Sequence, residues 1–183
     1  QYILGYLYEK GYGVEKNPKK AFDLYQQASA GKNTKAFFRL GKCLEDGFGT
    51  PKSPKQALYF YQKAAEDEHA LGQLQLGEAY QNGNGIEKDP EKASSLFQKA
   101  AFNNVPEAFY KLGVCYLQTE YQKDKAIDYL KEGLRNTVPT NKYDNLGDKA
   151  PIDALFYMGY AYQTTNKLEL AIEYYEKFRS NLK

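Results

Sequence analysis

Apolar residues at Ala36, Phe37, Leu40 and Leu44 fall at helical spacing, and the pattern predicts a first helix over 34–46. It runs into Asp46-Gly47-Phe48-Gly49, where glycine supplies the positive φ that stops a helix and turns the chain. Ser53-Pro54 then offers an N-cap residue followed by proline at the first helical position. A second helix follows, with Ala57, Phe60, Tyr61, Ala64 and Ala65 as its buried stripe. The unit returns at a period of 36 residues: Leu4-Gly5, Leu40-Gly41, Leu76-Gly77 and Leu112-Gly113 share one register, as do Asn17-Pro18, Ser53-Pro54 and Asp89-Pro90. Such a period marks a solenoid of helix pairs, in which each unit buries its apolar face on its neighbours.

Two details refine the pattern. Glycine recurs in the middle of the first helix of each pair (Gly5, Gly41, Gly77, Gly113, Gly159). Each should cost about 1 kcal/mol against alanine, so a compensating gain is expected. Close approach of the second helix, eased by the small Ala28, Ala64 and Ala100, supplies one. The last two units also depart from the first three. From the Leu or Met before that glycine to the second helix's alanine is 17 residues in the first three units, 14 in the fourth and 13 in the fifth. The Gly-x-Gly turn gives way to Gln118-Thr119-Glu120 and Thr164-Thr165-Asn166. Between these units, 136–150 is rich in Pro, Gly, Asn and Asp and reads as an inserted exposed loop. The expected units are therefore about 1–32, 33–68, 69–104, 105–136 and 151–183 of a single repeat domain. In the fifth, Phe178 takes the slot of the small second-helix residue, which suits an end that no further helix approaches.

Charge and composition narrow the function classes. Twenty-five Lys and Arg against 23 Asp and Glu leave +2, with no block of like charge, which is unlike a nucleic-acid footprint or an anionic-membrane binder. No apolar run is long enough to span a membrane, and no signal-peptide pattern opens the chain. The sequence starts inside a helix, which reads as a piece of a longer protein. Cys43 and Cys115 occupy the same slot two repeats apart, too far for a disulfide. Read as free thiols, and with no Asn-x-Ser/Thr sequon, they lean toward a reducing, cytoplasmic setting.

The inventory for catalysis is thin. The single histidine, His69, precedes the third unit's first helix and reads as a solvated loop residue. The pairs Gly11/Gly13, Gly47/Gly49 and Gly83/Gly85 follow a helix rather than a strand and lack Gly-Lys-Ser/Thr, so they read as turn glycines rather than a phosphate loop. No Cys/His cluster has zinc spacing. The expectation is a chain with no catalytic residues, cofactor or metal.

The residues Ala36–Ala65, Leu4–Ala28 and Leu74–Ala101 together resemble the Sel-1-like repeat family, relatives of the tetratricopeptide repeats; the last unit's spacing resembles a plain tetratricopeptide repeat. The resemblance implies an all-α, right-handed superhelix of about five antiparallel helix pairs, three Sel-1-like units followed by two tetratricopeptide-like ones. The first helices of the pairs (the A helices) would line its concave side.

Two rows on the A helices are candidates for partner contact. Two residues before the Leu or Met, about 200° round the helix, the slot reads Tyr2, Phe38, Leu74, Tyr110 and Phe156, uniformly large and apolar. Four residues on it reads Tyr6, Lys42, Glu78, Val114 and Tyr160, which vary in type. The uniform row suits packing against the neighbouring repeat, and the variable row suits recognition. Together they would line a groove for a peptide or a partner helix. The resulting expectation is a protein–protein interaction module of an adaptor or scaffold, with protein partners and no nucleic acid or membrane insertion. The alternatives are a regulatory repeat region of a larger enzyme, kinase-like or synthase-activating, and an aromatic surface for sugars.

Overall fold

The computed structural model describes residues 1–118, 123–136 and 152–182. They form ten helices and, among the described residues, no strand: α1 (Tyr2–Lys10), α2 (Pro18–Ala30), α3 (Thr34–Asp46), α4 (Pro54–Glu66), α5 (Ala70–Asn82), α6 (Pro90–Phe102), α7 (Pro106–Leu117), α8 (Lys123–Asn136), α9 (Ile152–Thr164) and α10 (Leu168–Asn181). This is the all-α helical-repeat class that the period implies. Except for Asn136, the inserted stretch 136–150 lies outside the described residues.

The chain forms two compact units, Gln1–Leu96 and Phe97–Lys183. In the first, α1 packs on α2, α2 on α3, α3 on α4 and α4 on α5. Tyr25, Leu40, Ala57 and Tyr61 sit at the centre of its core. In the second, α7 packs on α8, α8 on α9 and α9 on α10, around Leu130, Ala154 and Met158.

Local chemistry accounts for where the helices start and stop. Gly11, Gly47 and Gly83 end α1, α3 and α5 in the left-handed conformation, at φ 76, 75 and 76°. The paired glycines are turn residues, as their position after a helix implied. Gly49 (φ +72°) also sits where a side chain has no room, since a Cβ there would stand 2.1 Å from the Pro18 carbonyl oxygen. The second glycine of that turn thus seats on the start of the preceding repeat's α2. At the helix starts, the Asn17 side chain accepts from the Lys20 N–H, and Asp89 from the Lys92 N–H. Ser53 occupies the same slot with proline after it but makes no side-chain cap bond.

The mid-helix glycines do admit a close approach, but a bulky residue makes it. A Cβ on Gly41 would lie 2.4 Å from the Tyr61 ring, and one on Gly5 2.9 Å from the Tyr25 ring. The small Ala64 faces the next repeat instead, where a Cβ on Gly72 would come within 2.6 Å of it. In α10, half-buried Phe178 packs on Phe156 with ring centroids 5.6 Å apart.

His69 differs from its sequence reading. It is the N-cap of α5: its Nδ1 accepts from the Gly72 N–H at 3.2 Å, and its ring stacks on Phe38 at 5.0 Å. Asn33 caps α3 from the same slot one repeat earlier. Burial, together with the Lys35 and Arg39 charges, holds the His69 pKa below its ordinary 6.5. Only the neutral ring can accept at Nδ1, so the stabilisation is complete above pH 6.5 and declines as pH falls below it. His69→Ala should cost about 1 kcal/mol at pH 8, whereas His69→Asn should keep the cap and remove part of the acid sensitivity. Urea midpoints at pH 8 and pH 5 check both.

Candidate functional site

The uniform row packs. Tyr2 lies 5.8 Å from Tyr25, and Phe38 lies 6.0 Å from Tyr61 and stacks on His69. Tyr110 meets Tyr157 at 5.7 Å, and Phe156 meets Tyr175 at 5.8 Å. Leu74 and Tyr110 are 2% and 8% exposed, too little to offer a surface. In the variable row, Val114 is also buried, at 9%, and joins the second unit's core. The groove-lining expectation therefore does not hold for Leu74, Tyr110 or Val114, whose contacts are spent inside the fold. Tyr6, Lys42 and Glu78 in the first unit, and Phe156 and Tyr160 in the second, remain half-buried or exposed.

In the first unit these side chains belong to a wider polar array that the two rows did not reveal. Glu9 Oε2 accepts from the Tyr25 hydroxyl at 2.6 Å, while its Oε1 lies 3.1 Å from both Arg39 and Lys10. Arg39 also stands 5.1 Å over the Tyr6 ring. Burial opposes the Arg39 charge, but Glu9, Tyr2 and Tyr25 together outweigh it and leave the guanidinium above its ordinary pKa. One repeat on, Tyr61 donates to Glu45 at 2.8 Å, and Lys42 reaches the same oxygen at 2.6 Å. Burial opposes the Lys42 charge too, and Glu45 and Asp46 raise its pKa nonetheless. In the fifth unit Tyr175 donates to Gln163 at 2.8 Å. A signal for this array was present in the sequence: Gly5, Gly41 and Gly159 are each followed four residues on by Glu or Gln, and the facing helix carries Tyr.

Beside this array, a cleft of about 380 Å³ opens between α1 and α3, with Lys16 and Phe48 completing its lining. Cys43, 3% exposed, lies at its base, and burial pushes its thiol up to about 12. Cys115 is half-buried and, like Cys43, a free thiol; burial raises it to about 11. Both thiols therefore stay protonated near neutral pH. Among the described residues no group of three or more His, Cys, Asp or Glu could hold a metal ion, and no helix is long and apolar enough to cross a membrane.

Comparison with known proteins adds the family. The Sel1 repeat model matches residues 1–33, 35–69 and 70–101, and a tetratricopeptide repeat model matches 107–132 and 153–181. No curated protein matches the chain. Among solved structures, the Sel1 repeat protein from Oxalobacter formigenes is 27% identical with a TM-score of 0.80, covering 98% of this chain and 69% of that one. The protective antigen c5321 of uropathogenic Escherichia coli, described as displaying an SLR fold, is 27% identical with a TM-score of 0.78, over 97% of this chain and 37% of its own. MamA, at 23% identity and a TM-score of 0.59, shares the fold over 87% of this chain and 85% of its own. With three consecutive matches spanning more than half of its residues, the chain belongs to the Sel1 repeat family, and its last two helix pairs carry tetratricopeptide-type repeats.

Proposed function

We propose that the chain is the interaction module of an adaptor or scaffold protein and that it holds a peptide or helix in a groove lined by its A helices. Folds of this repeat class generally mediate protein–protein interactions and are generally non-catalytic. The observation that carries the finer reading is the behaviour of the variable row. Position for position it changes from Tyr6 to Lys42 to Glu78, and those side chains stay accessible while the adjacent uniform row is committed to packing. A slot needed only for stacking repeats has no reason to alternate in charge.

The test compares the wild-type chain with Lys42→Ala/Glu78→Ala/Tyr160→Ala in pull-downs read by mass spectrometry, after circular dichroism has shown both to be folded. Loss of a partner from the triple variant supports the A-helix face. Retention of the same partner by both moves binding elsewhere and overturns the assignment. Glutamate at Phe38 or Tyr110 would not serve as a probe, because those rings are packed and the variant would report on folding.

A further inference from the structure

We infer that the cleft between α1 and α3 is a subsite for one singly charged acidic side chain with an apolar stem, a glutamate of a polypeptide partner. The inference rests on the A-helix face being the binding face, since both helices are A helices, and it names the chemistry which that face reads.

At about 380 Å³ the cleft stands at the small end of ligand pockets. Lys10, Lys16, Arg39 and Lys42 line it with Glu9 and Asp46, while Cys43 and Phe48 supply its apolar part. Most of that charge is already spent. Glu9 is shared by Tyr25, Arg39 and Lys10, and Lys42 is held by Glu45 at 2.6 Å with Asp46 at 3.8 Å. The four cations thus stand against three carboxylates, and the cation left over is Lys16. It is exposed, pairs with no carboxylate among the described residues, and carries its ammonium 5.7 Å over the Phe48 ring. One uncovered positive charge beside an aromatic face matches a single carboxylate on a methylene stem. A phosphorylated side chain would bring close to two negative charges against the one available, and a bare anion would leave Phe48 unused.

Helix ends do not account for the cluster. The cleft reaches the ends of α1 and α3, and a helix C-terminus favours cations. Only Lys10 stands in a last turn, however; α3 has no basic residue in its own. Arg39, Lys42 and Lys16 therefore serve no helix end. Nor does the stacking of repeats call for them. One repeat on, the four cation slots hold Asp46, Lys52, Gln75 and Glu78, and the Phe48 slot holds Asn84. The concentration of positive charge around an aromatic ring belongs to this cleft rather than to the repeat.

Backbone-amide NMR of the folded chain, titrated with pentapeptides blocked at both ends, tests this. The probes are Ala-Ala-Glu-Ala-Ala and the same peptide with Gln, Lys or phosphoserine at its centre, beside an all-alanine peptide with a free C-terminal carboxylate. The Glu peptide should shift the Lys10, Lys42, Cys43 and Phe48 amides with a Kd on the order of 1–10 mM. It should bind at least about threefold tighter than any other probe, the size of one partly exposed ion pair, and lose that margin near 0.5 M salt. Lys16→Ala should bring the Glu peptide down to the level of the Gln peptide, and Lys16→Glu should move the preference to the Lys peptide. Lys55→Ala, an exposed lysine outside the lining, should change nothing, and thermal melts confirm that each variant is folded. Equal binding of the Glu and Gln peptides, tighter binding of the phosphoserine or free-carboxylate probe, shifts that fall away from the cleft, an absence of shifts, or a margin untouched by Lys16→Ala overturns the inference. A partner lost from the Lys42/Glu78/Tyr160 variant yet retained by Lys16→Glu would leave the A-helix face standing and remove this subsite alone.

Discussion

Replacing Gly49 with alanine should lower the stability of the first unit by about 3 kcal/mol, whereas the same change at Gly13 should cost about 1 kcal/mol. Both residues have left-handed backbones, at φ +72° and +70°, so the conformational penalty is shared. They differ in their neighbours. A Cβ on Gly49 would meet the Pro18 carbonyl oxygen at 2.1 Å and its carbonyl carbon at 2.5 Å, whereas a Cβ on Gly13 would have nothing within 4 Å. Backbone cannot rotate aside as a side chain can, so the clash must be relieved by moving the turn away from α2. Urea midpoints followed by far-ultraviolet circular dichroism give the difference. Equal losses would mean that backbone conformation alone explains both glycines and that the seat on Pro18 carries no weight.

The second large effect is expected at high pH. Burial pushes the Tyr25 and Tyr61 hydroxyls well above the ordinary tyrosine value of 10.0, and the carboxylates of Glu9 and Glu45 push them further in the same direction. The folded chain therefore holds these groups neutral where the unfolded chain would ionise them. Their contribution is complete below pH 10 and is lost as pH rises beyond it. The wild-type chain should unfold on the alkaline side in a transition that Tyr25→Phe/Tyr61→Phe flattens. At pH 7 the same variant gives up two hydrogen bonds to charged acceptors, about 1.5–3 kcal/mol each. Urea midpoints at steps between pH 7 and pH 11 separate the two effects. Parallel decline of the two proteins above pH 10 would place the alkaline loss elsewhere, for example in the lysine ion pairs.

The repeat was legible because its signals are local. A Gly-x-Gly after an apolar helix and a Pro after Asn, Ser or Asp each act within a few residues, and the 36-residue period multiplied them. The mid-helix glycines were half legible: the need for close approach followed from the helix penalty, but not that Tyr61 rather than Ala64 would fill the space over Gly41. His69 was misread because its role depends on the start of α5 and on Phe38, 31 positions away in sequence. The candidate rows failed at Leu74, Tyr110 and Val114 for a related reason. Angular position on one helix says which way a side chain leaves it, not how deeply the neighbouring helices bury it.

The seating of Gly49 on Pro18 also bears on how such a chain can lengthen over evolutionary time. The contact ties the turn after α3 to the start of the previous repeat's α2, so each of two copies brings half of this junction; one repeat on, a Cβ on Gly85 would meet only the Leu58 side chain, at 3.6 Å. A tandem duplication of 36 residues keeps the two halves in register wherever it begins, since sliding the copied window merely exchanges which half lies at its edge. A duplication one residue longer or shorter would set the glycine against the wrong peptide group. What is inherited is therefore the period and not the boundary, and the start of a repeat is a convention that selection has no means to see.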